Sequence, residues 1–482
     1  QAWEIAEASD GHPLLVELIV AQAGRRDLAE LLQEVRARKG AFEEQLNRVY
    51  EWSARIIEEK GQLDAWGALL LFPGGAAPEA LLWAAAGREG ASALQEAALA
   101  DFHPDLQAWR WHATVSEYAR SHCSLSDEER RSRLLELLPT WTNWLEGLSP
   151  KTPETAFQIE TQQANLEAIL DEAAHIPWES LRGLLQALHQ ALPPPDQTLS
   201  LRAFEERMYR IWAERATEEA ERAIGLGMHG VALSALGRRE EALQATEEAV
   251  ALYRRLTQQH PQAFLPDLAR SLTDLGARLS KVGRFEEAIQ ATEEAVRLFR
   301  QLTAQRPQAF LPDLARSLVS LGARLSKVSR FEEALQATEE AVRLLRQLAD
   351  QHLQAFLPYL AGSLNSLGLK LSEVGRFEEA LRATEEAIRL FRQLVDQHPQ
   401  AFRPKLARSL GAYGRILLSL GRASEACAAF AEGLRQILPF AQALPAAFRD
   451  LAAALQQDYL EACREAGQEP ERELIEEASR VL

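Results

Sequence analysis

The stretch FEEALQATEEAVRLLRQL, residues 331–348, decides the fold because it occurs three times in the chain. FEEAIQATEEAVRLFRQL begins at Phe285 and FEEALRATEEAIRLFRQL at Phe377, so the copies follow one another at intervals of 46 residues. Weaker copies begin at Arg239 and Ala423. Self-similarity at a fixed period indicates a repeat architecture in which each unit stacks on its neighbours. We therefore expect a linear array with degenerate units at both ends.

Each copy has the pattern of an amphipathic helix. Its apolar and small residues recur at the i, i+3, i+4 spacing of one helical face, and they are Phe331, Ala334, Leu335, Thr338, Ala341, Val342, Leu345 and Leu348. The opposite face is charged. Glu339 precedes Arg343 by four residues, an order that favours an ion pair along the helix. The acidic runs are therefore expected to be solvated faces rather than metal sites.

A second helix is predicted from LARSLVSLGARLSKV, residues 314–328, in which Gly322 permits a close approach of the neighbouring helix. Ser329-Arg330, or Gly-Arg in other copies, is read as the turn between the helices. The prolines of PQAF and of Leu311-Pro312 are expected to break the chain between units. Phenylalanines at 264, 310, 356 and 402 recur with the repeat and are expected to pack between units.

This reading gives a mainly all-α fold and leads to a known family. The pattern resembles the tetratricopeptide signature, whose usual period is about 34 residues, at Leu318, Leu321, Gly322, Leu325, Phe331, Ala334 and Ala341. The extra residues are expected to lengthen both helices and the loop. The resemblance implies a right-handed superhelix with five helix pairs from about Thr217 and a partial sixth over residues 447–482.

The first half of the chain resembles a different family. SDGHPLLVELIVAQAG, residues 9–24, looks like the Gly-x-Pro segment of the NB-ARC, or STAND, signalling ATPases. Residues 66–87 and 106–122 resemble the first helices and the wing of that family's winged-helix domain, and residues 158–192 resemble its helical connector. The expected domains are an ARC-like helical subdomain over 1–40, a winged-helix-like domain over 41–147, a helical connector over 148–216 and the repeat superhelix with its C-terminal cap over 217–482.

The STAND resemblance also implies a nucleotide contact. Pro13 would pack against adenine, and His112 would approach the β-phosphate of ADP in a closed state. Ala113 departs from the His-Asp pair of many members, which puts the contribution of that Asp in doubt. The plain alternative is that Pro13 shapes a helix start and that His112 is a buried, hydrogen-bonded core histidine.

No phosphate-binding loop of the form Gly-x-x-x-x-Gly-Lys-Ser/Thr occurs in the chain. We therefore expect no cofactor to be bound by this chain alone, and the resemblance implies ADP or ATP binding only in a full-length protein. Gln1 is not an initiator methionine, so we expect a fragment whose upstream part carries the ATPase core. The chain itself is not expected to be an enzyme, because no catalytic motif is present.

Composition excludes several other classes. The net charge of −17 argues against a general nucleic-acid surface. No run is long and apolar enough for a membrane span, so we expect a cytoplasmic protein without membrane partners. Cys123, Cys427 and Cys463 are far apart in sequence and are expected to be reduced, structural thiols without a metal. The pairs Trp109/Trp111 and Trp141/Trp144 are expected in the core rather than stacked on a ligand.

The partner-binding surface follows from the tetratricopeptide resemblance, in which the first helix of each pair lines the concave groove. By register the expected groove residues are Arg270, Thr273, Ala277, Lys281, Arg316, Val319, Ala323, Lys327, Asn365, Leu369, Glu373, Arg408 and Arg415. These side chains suit an acidic or extended peptide, or a folded surface with a similar charge pattern. The alternative is that the basic residues only neutralise neighbouring carboxylates.

Together these patterns predict the ligand-sensing and regulatory portion of a bacterial STAND ATPase. The repeats would bind a protein trigger and, with an ATPase core in cis, control homo-oligomerisation on activation; antiviral defence is the role the family suggests. One alternative is a constitutive scaffold for protein–protein interaction. Another is the sensor part of a transcription regulator that binds a small molecule.

Overall fold

The computed structural model describes residues 42–123, 125–192, 200–351, 353–443 and 445–481, together with residues 16, 19–20 and 32–33. It divides the chain into two compact units, Gln1–Arg238 and Arg239–Leu482. The described elements are almost all α-helices, so the predicted mainly all-α class is confirmed. Within the described part of the chain, no helix combines the length and hydropathy that a membrane crossing requires.

The first unit contains ten described helices and one small sheet. In chain order they are α1 (Phe42–Glu59), α2 (Asp64–Leu69), β1 (Ala76–Pro78), α3 (Glu79–Glu96), β2 (Asp101–His103), β3 (Ala108–Arg110), α4 (Ala113–His122), α5 (Asp127–Glu146), α6 (Pro153–Thr161), α7 (Gln163–Asp171), α8 (Trp178–Ala191), α9 (Arg202–Arg215) and α10 (Glu219–Ala235).

The sheet is antiparallel, with strand order β1-β3-β2. Trp109 at the centre of β3 is opposite Ala77 on one side and Phe102 on the other. The helix α3 that connects β1 to β2 is interrupted at Gly87, whose φ of +74° suits a residue without a Cβ. A helix pair and a three-stranded sheet are thereby built from 35 residues between Ala76 and Arg110.

Aromatic side chains fill the core of the first unit. Trp109, Trp111 and Trp141 are buried, which confirms their prediction as core residues, and Trp144 packs against them at the edge. The Trp111 indole N–H donates to Ser116 Oγ at 2.9 Å, so its polar atom is satisfied inside the core. The buried Asn165 of α7 accepts from the Gly74 amide and donates to the Ala76 carbonyl, which fixes α7 to the turn before β1.

The second unit consists of eleven described helices. They are α11 (Arg239–Gln259), α12 (Pro261–Lys281), α13 (Phe285–Gln305), α14 (Pro307–Lys327), α15 (Phe331–Gln351), α16 (Leu353–Glu373), α17 (Phe377–Gln397), α18 (Pro399–Ser419), α19 (Ala423–Ala443), α20 (Pro445–Ala466) and α21 (Arg472–Val481). We call α12, α14, α16 and α18 the first helices, and α13, α15, α17 and α19 the second helices.

The extra length of the repeat lies in the helices and not in the loop between units. First and second helices are each 21 residues long, and one residue, Arg306 or His398, separates a second helix from the next first helix. The expected break at Leu311-Pro312 is also wrong, because Pro312 lies inside α14. Proline near a helix start removes few backbone hydrogen bonds, and Leu311 and Leu314 pack into the core around it.

The turn is as predicted, and three of the four recurring phenylalanines pack between units, although they lie inside first helices rather than in loops. Gly283, Gly375 and Gly421 have positive φ after a first helix, and Ser329 adopts φ +61° at the equivalent place. The amide of the following arginine then donates to a carbonyl of the last helical turn, as Arg330 does to Leu325 at 3.0 Å. Phe310, Phe356 and Phe402 pack against the buried clusters between units.

Two of the cysteines are far apart in sequence but come together in the fold. Cys427 of α19 and Cys463 of α20 are buried, and their thiols are hydrogen-bonded. Burial raises the pKa of Cys427 to about 12, and the hydrogen bond to Cys463 adds to the rise. All three cysteines are free thiols.

Candidate functional site

The first helices form the inner layer of the second unit. Neighbouring first helices contact one another along the stack, and the Thr273 and Ser317 hydroxyls hydrogen-bond at 3.0 Å between α12 and α14. Neighbouring second helices are instead joined through long side chains, such as Arg300 to Glu340 at 2.7 Å and Arg346 to Glu386 at 2.6 Å. The first helices are thus the more closely packed of the two layers, and we call their solvent-exposed face the groove.

These cross-repeat ion pairs replace the pairs expected along each helix. Glu339 contacts Arg376 of the following turn at 3.6 Å, and Glu385 accepts from Tyr413 Oη at 2.9 Å. Arg343 forms no ion pair within the described residues. The 46-residue step brings Arg300 opposite Glu340 and Arg346 opposite Glu386 of the next second helix, which the pattern within one helix does not reveal.

Most of the expected groove residues are exposed or half-buried on the first helices. The exposed ones are Arg270, Lys281, Arg316, Ala323, Lys327, Leu369, Glu373, Arg408 and Arg415, and the half-buried ones are Ala277, Val319 and Asn365. Thr273 is buried, because its hydroxyl donates to the Ala269 carbonyl and meets Ser317. It belongs to the contact between α12 and α14 rather than to the open surface, so its placement in the groove was wrong.

Several basic side chains of the groove neutralise carboxylates. Arg270 contacts Asp267 and Asp313, and Arg316 contacts the same Asp313. Arg415 contacts Asp458 at 2.9 Å. Lys327 and Arg408 form no ion pair with any residue that the structure describes. The alternative of mutual neutralisation therefore holds for part of the groove only, and two exposed cations remain available to a partner.

Charge is segregated between the two layers. The first helices α12, α14, α16 and α18 have formal charges of +1, +2, 0 and +4. The second helices α13, α15 and α17 have −2, −3 and −2. A protein of net charge −17 thus has a basic inner layer, and acidic ligands are attracted to that face.

The groove also has an apolar patch formed by Leu369 and Tyr359, of which the sequence analysis predicted only Leu369. The neutral helix α16 presents Leu369 and Tyr359, which are 38% and 54% exposed, between the basic helices α14 and α18. Tyr359 replaces the Asp267 and Asp313 of the preceding repeats. This difference from the preceding repeats could have identified Tyr359 as a candidate contact residue from the sequence.

A second kind of cleft lies between neighbouring second helices. The larger example measures about 740 Å³, with Ile388, Leu410 and Tyr413 among its lining residues. A smaller one of about 340 Å³ occurs at the equivalent place two repeats earlier, lined in part by Val296, Leu318 and Leu321. Charges at the larger cleft are partly matched, as in the contact of Arg392 with Glu432.

The two residues expected to contact nucleotide lie in the first unit. Pro13 falls outside the described residues. His112 is exposed and forms the N-cap of α4, with Nδ1 accepting from the Thr114 amide at 3.3 Å. The alternative of a buried core histidine is therefore wrong, because the ring caps a helix at the surface. Among the described residues, no group of three or more His, Cys, Asp or Glu side chains is arranged to hold a metal.

Comparison with known proteins identifies the repeats. A family model described as tetratricopeptide repeat matches residues 230–262, 268–303 and 360–400. A model for anaphase-promoting complex subunit 5 matches residues 305–370. No curated protein sequence matches the chain.

Three of the similar solved structures are as follows. A STAND protein with a tetratricopeptide-repeat sensor from Pyrococcus horikoshii is 14% identical, with a TM-score of 0.41, over 99% of this chain and 68% of that one. Aspartyl phosphate phosphatase F from Bacillus subtilis is 12% identical, with a TM-score of 0.39, over 73% and 88%. NprR in complex with its cognate peptide NprX is 13% identical, with a TM-score of 0.40, over 66% and 81%. These values are too low to carry an argument about function. The matched segments of this chain are similar to tetratricopeptide repeats.

Proposed function

We propose that the chain binds an acidic segment of another protein in the concave groove of its repeats. The observation that carries the proposal is the segregation of charge between the first and second helices. The ligand that best complements the groove has carboxylates on either side of an apolar side chain, because basic α14 and α18 flank Tyr359 and Leu369 of α16. The carboxylates of the ligand would steer and orient its binding, and its apolar side chain would exclude water at Tyr359 and Leu369.

Recognition of this kind serves regulation within a larger signalling protein. We propose that the chain is the sensing portion of a STAND-type ATPase, in which the trigger releases an inhibited state and permits oligomerisation. A trigger shifts such an equilibrium only by its differential affinity for the two states. Support comes from the sequence resemblance in the first half and from the order of helices and strands between α1 and α4, which suits a winged-helix domain with β2 and β3 as its wing.

His112 is proposed to contact the nucleotide of such a protein. The side chain is exposed at the N-terminus of α4, where anions are favoured, and its Nδ1 is engaged by Thr114, which leaves Nε2 for a phosphate oxygen. When bound, ADP would stabilise the inhibited state of such a protein. In a polypeptide that includes the nucleotide-binding core, His112→Ala is expected to weaken ADP retention without changing the melting temperature of the repeats.

The groove is tested by charge reversal at its two unpaired cations. A Lys327→Glu/Arg408→Glu variant breaks no ion pair among the described residues, so its fold should be intact. We expect tagged wild-type chain to recover a stoichiometric protein from lysate of the host and this variant to lose it.

The matched control is Arg297→Glu/Arg343→Glu, which reverses two second-helix arginines that form no ion pair within the described part of the chain. It makes the same change in net charge on the opposite layer and should still recover the partner protein from lysate. Equal recovery by all three proteins, or equal loss by both variants, would show that the groove is not the binding surface.

A further inference from the structure

The larger of the two clefts between second helices has an apolar floor. Its walls are formed by α17 and α19, and its floor includes Ile388 of α17 together with Leu410 and Tyr413 of α18. Ile388 and Leu410 are buried, and Tyr413 is half-buried, with its hydroxyl donating to Glu385 at 2.9 Å. The volume of about 740 Å³ is that of a site for a small organic molecule.

Three residues of this cleft differ from those at the equivalent positions two repeats earlier. Ala428 replaces Gln336, Tyr413 replaces Leu321, and Arg382 replaces Gln290. The equivalent cleft, which Gln336 and Leu321 line, measures about 340 Å³. Because alanine lacks the amide arm of glutamine, the wall at Ala428 leaves open the space that Gln336 fills in the smaller cleft. The larger volume and the added cation therefore occur together at one place in the array.

The cleft also has an excess of unpaired positive charge. Arg382 and Arg389 are exposed on the α17 wall, about two helical turns apart, and form no ion pair with any residue that the structure describes. Three of the four carboxylates that line the cleft contact an arginine, and these are Glu386 with Arg346, Glu425 with Arg422 and Glu432 with Arg392. The fourth, Glu385, accepts from Tyr413. Two cations are therefore left against one carboxylate, which favours an anionic ligand.

We propose that the cleft between α17 and α19 binds a small amphipathic acid. The apolar body of the ligand covers Ile388, Leu410 and Tyr413, and its anionic group pairs with Arg382 and Arg389. Burial of the apolar body supplies most of the affinity, because exposed ion pairs are weak in water. The two arginines supply the preference for an acid over its neutral analogue. This site lies on the second-helix layer, so the inference goes beyond the function proposed for the groove and does not rest on it.

Two substitutions that restore the glutamine of earlier repeats test the site. The probe is 8-anilinonaphthalene-1-sulfonate, an aromatic body with one anionic group, titrated into the full chain and followed by its fluorescence. Ala428→Gln should weaken binding about tenfold or more, because the added side chain occupies the space of the apolar body. Arg382→Gln should weaken binding about threefold, through loss of an exposed ion pair. Both variants should keep the wild-type melting temperature, since α13 and α15 have glutamine at this position.

Two control variants make the same changes at exposed positions outside this cleft. Ala251→Gln of α11 adds the same side chain, and Arg343→Gln of α15 removes the same charge at the position of Arg389 one repeat earlier. Both should leave the Kd of the probe unchanged. As a second readout, 1-naphthoate should displace the probe at about one third of the concentration that its neutral analogue 1-naphthamide requires.

The outcomes separate the site from its ligand class. If the wild-type chain does not bind the probe, if Ala428→Gln binds it as tightly as wild type, or if Ala251→Gln weakens binding equally, the cleft is not a binding site. If Arg382→Gln leaves binding unchanged, or the acid and the amide displace the probe equally well, the assignment of an acidic ligand is wrong. Where Ala428→Gln lowers the melting temperature, the exposed Arg382→Gln decides, because unchanged binding by that variant overturns the proposal.

Discussion

Single residues set the differences between repeats that otherwise share one sequence. Ser329 occupies a turn position at which the other repeats have Gly283, Gly375 and Gly421. Its φ of +61° is in the left-handed region, where a Cβ is unfavourable. Tyr359 and Asp274, both on first helices, likewise differ from the residues at the equivalent positions of the other repeats.

The strain at the turn gives a prediction. Ser329→Gly should raise the free energy of unfolding by about 0.5–1 kcal/mol, because glycine adopts positive φ without steric cost. Urea denaturation followed by circular dichroism measures the change. Gly375→Ser is the reciprocal control and should lower the free energy of unfolding by a similar amount. A lower urea midpoint for Ser329→Gly would contradict the assignment of strain to Ser329.

At the scale of the element, the pairing of a first helix with its second helix depends on a glycine facing a threonine. A Cβ at Gly322 would lie 2.5 Å from Thr338 Oγ1 and 2.9 Å from the Ala334 carbonyl. Gly276 meets Thr292, and Gly368 meets Thr384, in the same way. The Thr338 hydroxyl is fixed by donation to Ala334 at 2.8 Å and cannot move aside without loss.

Enlarging this contact should separate the helices. Gly322→Ala is expected to destabilise the array by about 1–3 kcal/mol, the usual cost of overpacking. Gly362→Ala is the control, since a Cβ there meets nothing within 4 Å, and it should stabilise α16 by about 0.5–1 kcal/mol through helix propensity. Thermal unfolding should show a lower melting temperature for Gly322→Ala and a higher one for Gly362→Ala. Equal changes in melting temperature would contradict the packing argument.

At the scale of the whole molecule, the second unit is a stack in which each repeat depends on its neighbours and the last one on a cap. Helices α20 and α21 cover the apolar face of α19, with Leu455 and Tyr459 packed into the same core as Phe430 and Leu434. The Tyr459 hydroxyl accepts from the Glu471 amide, which fixes the connection between the capping helices.

Removal of the cap should expose that face. A chain ending at Ala443 is expected to bind a hydrophobic dye and to melt at a lower temperature than the whole chain, because buried apolar area is returned to water. A chain ending at Glu471 loses only α21 and should show a smaller change in both measurements. Dye binding no greater than that of the intact protein would show that α20 and α21 are not a cap.

The sequence predicted the repeat architecture because a 46-residue period and an apolar face are properties of the chain alone. It placed Arg316, Lys327 and Arg408 on the open surface correctly, because helical register decides which side of a helix a residue occupies. It missed the pairing of Arg300 with Glu340 and the burial of Thr273 and Arg324. Those depend on how closely neighbouring helices approach, which the pattern within one helix does not contain.

The near-identity of α13, α15 and α17 has a consequence for how the array folds. Helices so alike can take each other's place beside a first helix, and misassembly between similar units is a recognised failure of repeat proteins. Correct order then depends on the few positions that differ. Tyr413 of α18, which hydrogen-bonds to Glu385 of α17, is one such position, because the preceding repeats have Leu321 and Leu367 there. The positions that differ between repeats therefore also distinguish each repeat from its copies during folding.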